Sequence, residues 1–344
     1  MKPKPFPLRS LRIAALLILI ATASASAQRA PSTARGVARA GFQGWTDVLR
    51  IESRDALPRA IVAPSVGGRV LFYGFRDDNL LWLDPSLTGS TLATVGSGFE
   101  PGGFQCAIGP EVEAIPSLPE LSVGPWSWTS RRPYSLQLRA PEDRSVRVEL
   151  EKDIVFDPAT GDLGFVHRMK NTADRDSAYC LWHRIACQPG GFALLPVHPQ
   201  SRFPAGWSIR RDTDRGYRYD GVQPESPDVR ILDGVLVART GGDFTQLGTD
   251  GTEQWLAYAL GRSLFVIHFP TFSTAVYSEG GNTATITWDR RRTELQPLSP
   301  EARLRSRRTY EFPMKWALVE LPSPVTSHEE ARAVVSRIPG SPFQ

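Results

Sequence analysis

Apolar and polar residues alternate with a period of two through most of this chain, the spacing of a strand that buries one face. DVLRIES (47–53) and SVRVELEKDIVFD (145–157) show the alternation, and RAIVAP (59–64) and GRVLFYGF (68–75) are shorter β-rich runs bordered by glycine or proline. Between 145–157 and GFVHRMKN (164–171) the segment DPATGD supplies the Pro and Gly of a tight turn, so the two runs read as arms of one hairpin. The same criteria predict strands over 178–187, 231–239, 253–259, 263–269, 274–278, 283–289, 292–297 and 308–320. Helical spacing is confined to the C-terminal end. There Ser327 stands as N-cap, Glu330 as its capping-box partner, and ARAVVSRI (331–338) precedes Pro339-Gly340. More than a dozen strands without interleaved helices predict an all-β antiparallel sandwich or barrel, with one short C-terminal helix. The Gly- and Pro-rich stretch 96–128 is expected to be a site-forming loop.

The N-terminus has a different pattern. Lys2, Lys4, Arg9 and Arg12 precede the apolar run IAALLILIA (13–21), and small residues follow down to Ala25-Ser26-Ala27. This is the layout of a secretory signal peptide over 1–27, too short to span a bilayer comfortably. Cleavage would leave Gln28 first, a flexible segment over 28–44, one domain over 45–322, and a helix and tail over 323–344. The expected destination is the periplasm or the exterior. No second long apolar run predicts a transmembrane segment. The leader also changes the charge. The chain has 40 Lys+Arg against 36 Asp+Glu, but residues 1–27 carry four of the bases and no acid, so 36 of each remain. A sequence pI near 9.1 therefore reflects the leader and gives no reason to expect a nucleic-acid partner.

Candidate chemistry centres on AYCLWHRIACQPGG (178–191), where His183 has Cys180 and Cys187 on either side. On a strand, Tyr179, Leu181, Ile185 and Cys187 share the face of His183, whereas Cys180, Trp182, Arg184 and Ala186 share the other. A zinc site from Cys180, His183 and Cys187 fails on this geometry, because four strand residues separate His183 from Cys187 by about 13 Å and Cys180 points away. A Cys180–Cys187 disulfide would need the strand to break; Cys106 is the alternative partner for either. No metal or cofactor is expected, since phosphate loops, dinucleotide fingerprints and a G-x-S-x-G elbow are missing. Glu294 follows Arg290-Arg291-Arg292. It reads either as an edge carboxylate paired with arginine or as a base facing a pocket. Flat indole faces stack on the C–H patches of pyranose rings, which makes Trp126, Trp128 and Trp182 candidates for sugar contact. His198, in the Pro-bounded loop LLPVHPQSRFP (194–204), is a further one.

Three stretches together resemble a known family. They are APSVGGRVLFYGFRDDNLLW (63–82), DIVFDPATGDLGFVHRMKNT (153–172) with SAYCLWH after it, and WDRRRTELQPLSP with YEFPMKWALV (288–319). The pattern is similar to the galactose-mutarotase-like β-supersandwich proteins and covers roughly 45–322. The resemblance implies a large twisted antiparallel sandwich whose concave face binds carbohydrate, in a superfamily that includes aldose epimerases. By position it implies Glu294 as the base, His183 as the acid, and Arg69 and Asn79 as ligand-holding groups. The second histidine and the Asn-His-x-x-Phe/Tyr signature of authentic mutarotases have no counterpart. Two readings follow: an exported aldose-epimerase-like enzyme, or a non-catalytic carbohydrate-binding or structural envelope protein with the same fold.

Overall fold

A computed structural model describes residues 32–110, 118–214, 216–221 and 226–343. The expected signal peptide and residues 111–117 of the expected 96–128 loop thus lie outside the described residues; the rest of that stretch is not one loop, because Phe104–Gly109 is a buried strand and Pro119–Ser122 a helical turn. The described residues form one compact unit.

Two antiparallel sheets make up that unit. The first runs through Val37–Phe42, Trp45–Ile51, Pro58–Ala63, Arg69–Phe75, Phe104–Gly109, Ser177–Cys187, Thr293–Pro297, Ala284–Trp288, Thr245–Thr249, Ser208–Thr213 and Gly216–Asp220. The second runs through Val229–Leu232, Val235–Arg239, Phe192–Pro196, Trp255–Leu260, Ser263–His268, Thr309–Glu320, Leu163–Asn171, Val148–Phe156, Ser135–Arg139 and Ser127–Thr129. Alternation becomes layering most plainly in the hairpin of Val148–Phe156 and Leu163–Asn171, where every second residue is buried. The turn between them is tied by Asp157, which accepts from the Ala159 amide at 2.8 Å, and by Gly161 at φ 81°.

The facing inner surfaces bury the core. Trp316 has no exposure, and four rings surround it: Tyr73, Phe104, Phe165 and Phe265, at centroid distances of 4.8–5.6 Å. Central strands of the first sheet are buried on both faces, as in Phe104–Gly109 and Thr293–Pro297. A strand buried on both faces reads as a continuous apolar run unless one face is polar and covered. Here one face is polar, and it carries the site described below.

Three local expectations are corrected or confirmed. The segment 28–44 is not uniformly flexible, because Val37–Phe42 pairs with Trp45–Ile51. Gln43 and Gly44, at φ 44° and 92°, make a two-residue turn with both central residues left-handed, which matches the twist of a hairpin. Residues 274–278 are turn and not strand, since the Ala275 amide bonds the Phe272 carbonyl at 3.1 Å and no ladder forms. The C-terminal helix is present as His328–Ala333, with the Ser327 side chain accepting from the Glu330 amide and Glu330 reaching back to Ser327.

Candidate functional site

The Gly-Gly-Arg step sets the first residue of the site. Gly67 and Gly68 both have left-handed backbones, φ 65° and 57°. A Cβ on Gly67 would lie 2.1 Å from the Ser122 carbonyl oxygen, so only glycine lets the 118–126 segment close over the turn. The chain then enters Arg69–Phe75 with Arg69 buried. Its guanidinium donates to Glu100 at 2.9 Å, to the Gly102 carbonyl at 2.7 Å and to the Gln105 side chain at 2.7 Å.

From Arg69 a polar row crosses the outer face of the sheet. Val70 pairs with Phe104, so Arg69 lies beside Gln105, and Gln105 pairs in turn with Arg184. Ala186 pairs with Glu294, Glu294 with Thr287, and Thr287 with Gln246. Because the side-chain period is two, this register puts all of these groups on one face. Arg184 donates to Glu294 at 3.1 and 3.2 Å, Arg292 reaches its other oxygen at 2.7 Å, and Gln296 donates at 3.0 Å. Beyond them Gln246 accepts from Arg210 at 3.0 Å and donates to the Tyr219 hydroxyl at 2.8 Å. Trp182, Arg184, Arg210, Gln246, Trp288 and Glu294 are among the residues that line an open pocket over this row.

Electrostatics bind the row into one unit. Burial alone would raise the pKa of Glu100, but the charges of Arg69, Arg184 and Arg292 and the Arg69 hydrogen bond outweigh it and hold the carboxyl below its ordinary range. The pocket therefore alternates fixed carboxylates, guanidinium groups and amides. Sugar hydroxyls, which both donate and accept, are matched by such a set.

The other expected site residues lie elsewhere. His183 faces inward, away from Glu294. Its ring is 4.6 Å from that of His167 and 5.5 Å from that of Phe312, and its Nδ1 is 3.1 Å from the Pro297 carbonyl oxygen. Burial pushes its pKa down to about 3, against the opposing effect of the Pro297 hydrogen bond, so it stays neutral. The parity that placed Trp182 and Arg184 opposite His183 had already separated them, and Arg184 occupies the position beside Glu294. Asn79 is used by its own hairpin: it donates to the Leu71 carbonyl at 2.9 Å and accepts from the Tyr73 and Leu81 amides. Trp126 is a core residue whose Nε1 donates to the Leu121 carbonyl at 3.1 Å. Trp128 lies under the Arg39 guanidinium, which is 4.9 Å from its ring centre, and neither Trp126 nor Trp128 is among the residues that line the pocket. His198 accepts from the Gln200 amide at 3.0 Å and lines a different cavity with Arg202, Asp250 and Tyr277. Glu294 and Trp182 are brought together, and Arg69 joins them through Gln105 and Glu100. Gln105, Arg184, Arg210, Gln246 and Gln296 escaped sequence reasoning, although the parity of the strands holding Arg184 and Gln296 was a usable signal.

The expected cysteine geometry also finds a simple outcome. Ser177–Cys187 is one unbroken strand, and Cys106, Cys180 and Cys187 are all free and buried.

No family model matches the chain, and no curated protein matches it. Solved structures do. The Slr1438 protein from Synechocystis sp. PCC 6803 is 12% identical and superposes with a TM-score of 0.56 over 81% of this chain and 98% of its own. A galactose mutarotase-like protein from Lactobacillus casei is 12% identical, with a TM-score of 0.52 over 78% of this chain and 100% of its own. A TPR-domain containing protein from Parabacteroides distasonis matches at 11% identity and a TM-score of 0.53, over 80% of this chain but 47% of its own. At these identities the likeness concerns the fold, which hosts more than one kind of protein. By fold, the chain is a galactose-mutarotase-like antiparallel β-supersandwich.

Proposed function

We propose that this chain is an exported carbohydrate-binding protein that holds a sugar over the polar row of the first sheet without a complete epimerase acid–base pair. One observation carries this reading. Glu294 sits in the pocket with its carboxylate held by Arg184, Arg292 and Gln296, while His183 faces the opposite side of the same sheet. A carboxylate fixed between two guanidinium groups is well placed to accept hydroxyl hydrogen bonds. All of these contacts are donors that hold it in place, and among the described residues no imidazole faces it across the pocket to complete an acid–base pair. Trp182, on the same face as Arg184, closes one side of the pocket, although it is largely buried. The basic, apolar, small-residue leader supports export. A second reading, an epimerase with Glu294 as base and an acid other than His183, is favoured only by the carboxylate in the pocket.

Calorimetry against a panel of neutral and acidic aldoses, run in parallel with polarimetry of anomer interconversion, tests the proposal. Saturable binding is expected, weakened about tenfold or more by Glu294→Gln, because a charge-assisted hydrogen bond contributes roughly 1.5–3 kcal/mol. Interconversion should run at the uncatalysed rate. Acceleration lost in Glu294→Gln would replace this reading with the epimerase one, and absence of binding to every sugar would remove both.

A further inference from the structure

Behind the polar row, on the inner face of the same strands, lies a second cluster. His183 pairs with Cys106 on the neighbouring strand, and His167 meets them from the opposite sheet. The Cys106 sulfur and the ligating nitrogens of His167 and His183 all lie within 4.8 Å of one another. All three side chains are buried, with exposures of 4%, 1% and 0%. Donation from Nδ1 of His183 to the Pro297 carbonyl at 3.1 Å would fix the tautomer and leave Nε2 as a lone pair. That Nε2 has no hydrogen-bond partner, and neither ring nitrogen of His167 makes a bond of good geometry. Leaving such a group unsatisfied costs roughly 1–3 kcal/mol, and each imidazole brings one such nitrogen to within 4.8 Å of the Cys106 sulfur.

We propose that Cys106, His167 and His183 bind one soft monovalent metal ion of the Cu(I) type, in a three-coordinate site that staples the two sheets together. Thiolate with imidazole is a donor set that selects soft ions. A ligating histidine whose other nitrogen donates to a main-chain carbonyl is the usual supporting arrangement for a metal ligand. Donor atoms around an ion at roughly 2.0–2.3 Å sit about 3.5–4 Å apart, so side-chain movements of about 1 Å close the site. Charge selects the oxidation state. Lys152 is buried nearby, with its Nζ 2.9 Å from the Gly68 carbonyl and 4.6 Å from the Phe104 ring centre. A monovalent ion and the Cys106 thiolate cancel, leaving one positive charge in the core, whereas a divalent ion would leave two in a medium of low dielectric. Binding converts the Cys106 thiol and the free ion into a sulfur–metal bond and releases one proton to solvent. No electron is transferred. This inference is independent of the sugar pocket.

The test uses the full reduced chain without oxygen, titrated with Cu(I) in competition with a chromogenic chelator, and Ag(I) as a redox-inert probe. Because the site is buried, the same protein is also refolded from denaturant with the ion present. One equivalent is expected to be retained, with a near-ultraviolet thiolate-to-metal band and an X-ray absorption spectrum of one sulfur and two nitrogen neighbours. Loss of an outer partner of a metal site weakens binding by about 10–100-fold, so loss of the thiolate in Cys106→Ser should weaken it by at least ~100-fold. Cys180→Ser, on the other face of the strand, should leave it unchanged. The wild-type spectrum stands even if Cys106→Ser folds poorly. Failure of the wild type to retain Cu(I) or Ag(I) after refolding would overturn the proposal, as would full retention by a folded Cys106→Ser. Tighter retention of Zn(II) than of Cu(I) would overturn the monovalent assignment.

Discussion

At the scale of single residues, Arg69 and Glu100 show how a buried cation is made tolerable. Arg69 has three acceptors, and one of them, Glu100, is itself set by the summed charge of Arg69, Arg184 and Arg292. Its carboxyl titrates below the ordinary glutamate value of 4.5 in the folded chain, so between the folded value and 4.5 the unfolded chain binds more protons. The stabilisation from Glu100 is therefore complete above pH 4.5 and is lost as pH falls through the folded value. Urea midpoints measured across this window should fall more steeply with acidification in the wild type than in Glu100→Gln. Parallel slopes would show that the pair contributes no pH-dependent stability. The Arg69 position was legible in sequence as part of the Gly-Gly-Arg step. Its role was not, because Glu100 and Gln105 reach it only through a loop and a strand pairing that no local pattern encodes.

At the scale of elements, what the sequence revealed depended on whether the signal was local. The alternation of Val148–Phe156 and Leu163–Asn171 and the turn between them were readable because period and turn residues sit in one short window. The run 274–278 has the β-branched and aromatic composition of a strand, yet among the described residues it joins no ladder, and the Ala275 amide closes a turn on the Phe272 carbonyl. Parity correctly divided the strand Ser177–Cys187 into a His183 face and an Arg184 face. Which of the two would be the pocket depended on the partner strands. The resemblance favoured His183; the register with Thr293–Pro297 favours Arg184. The C-terminal helix is the most local case of all, since its cap is written in Ser327 and Glu330. Removal of an N-cap hydroxyl typically costs about 1 kcal/mol. Ser327→Ala should therefore speed amide exchange within His328–Ala333 roughly fivefold, while amides of the central strands keep their protection. Uniform loss of protection would mean that this short helix unfolds only with the whole domain.

At the scale of the whole molecule, the strand Ser177–Cys187 separates two chemistries one residue apart. Trp182 and Arg184 face the polar pocket, whereas His183 faces Cys106 and His167 in the core. A sheet makes this separation strict, because adjacent side chains leave it on opposite sides and a backbone layer lies between them. The arrangement yields a prediction that distinguishes this geometry from the one implied by family position. If His183 were an acid working on a bound sugar, its replacement would damage sugar recognition along with Glu294. In the geometry found here, His183→Leu removes a core imidazole and leaves the pocket side chains in register. Sites that share no partners usually couple by no more than about 0.5 kcal/mol. Sugar affinity in His183→Leu should thus stay within about twofold of wild type, while Glu294→Gln loses tenfold or more. The same His183 variant should lose the proposed metal ion, so calorimetry with sugar and chelator competition with Cu(I) would move in only one of the two assays. A parallel loss of sugar binding in a variant that remains folded would mean that the strand transmits its inner-face packing to the pocket. The two faces would then have to be treated as a single site.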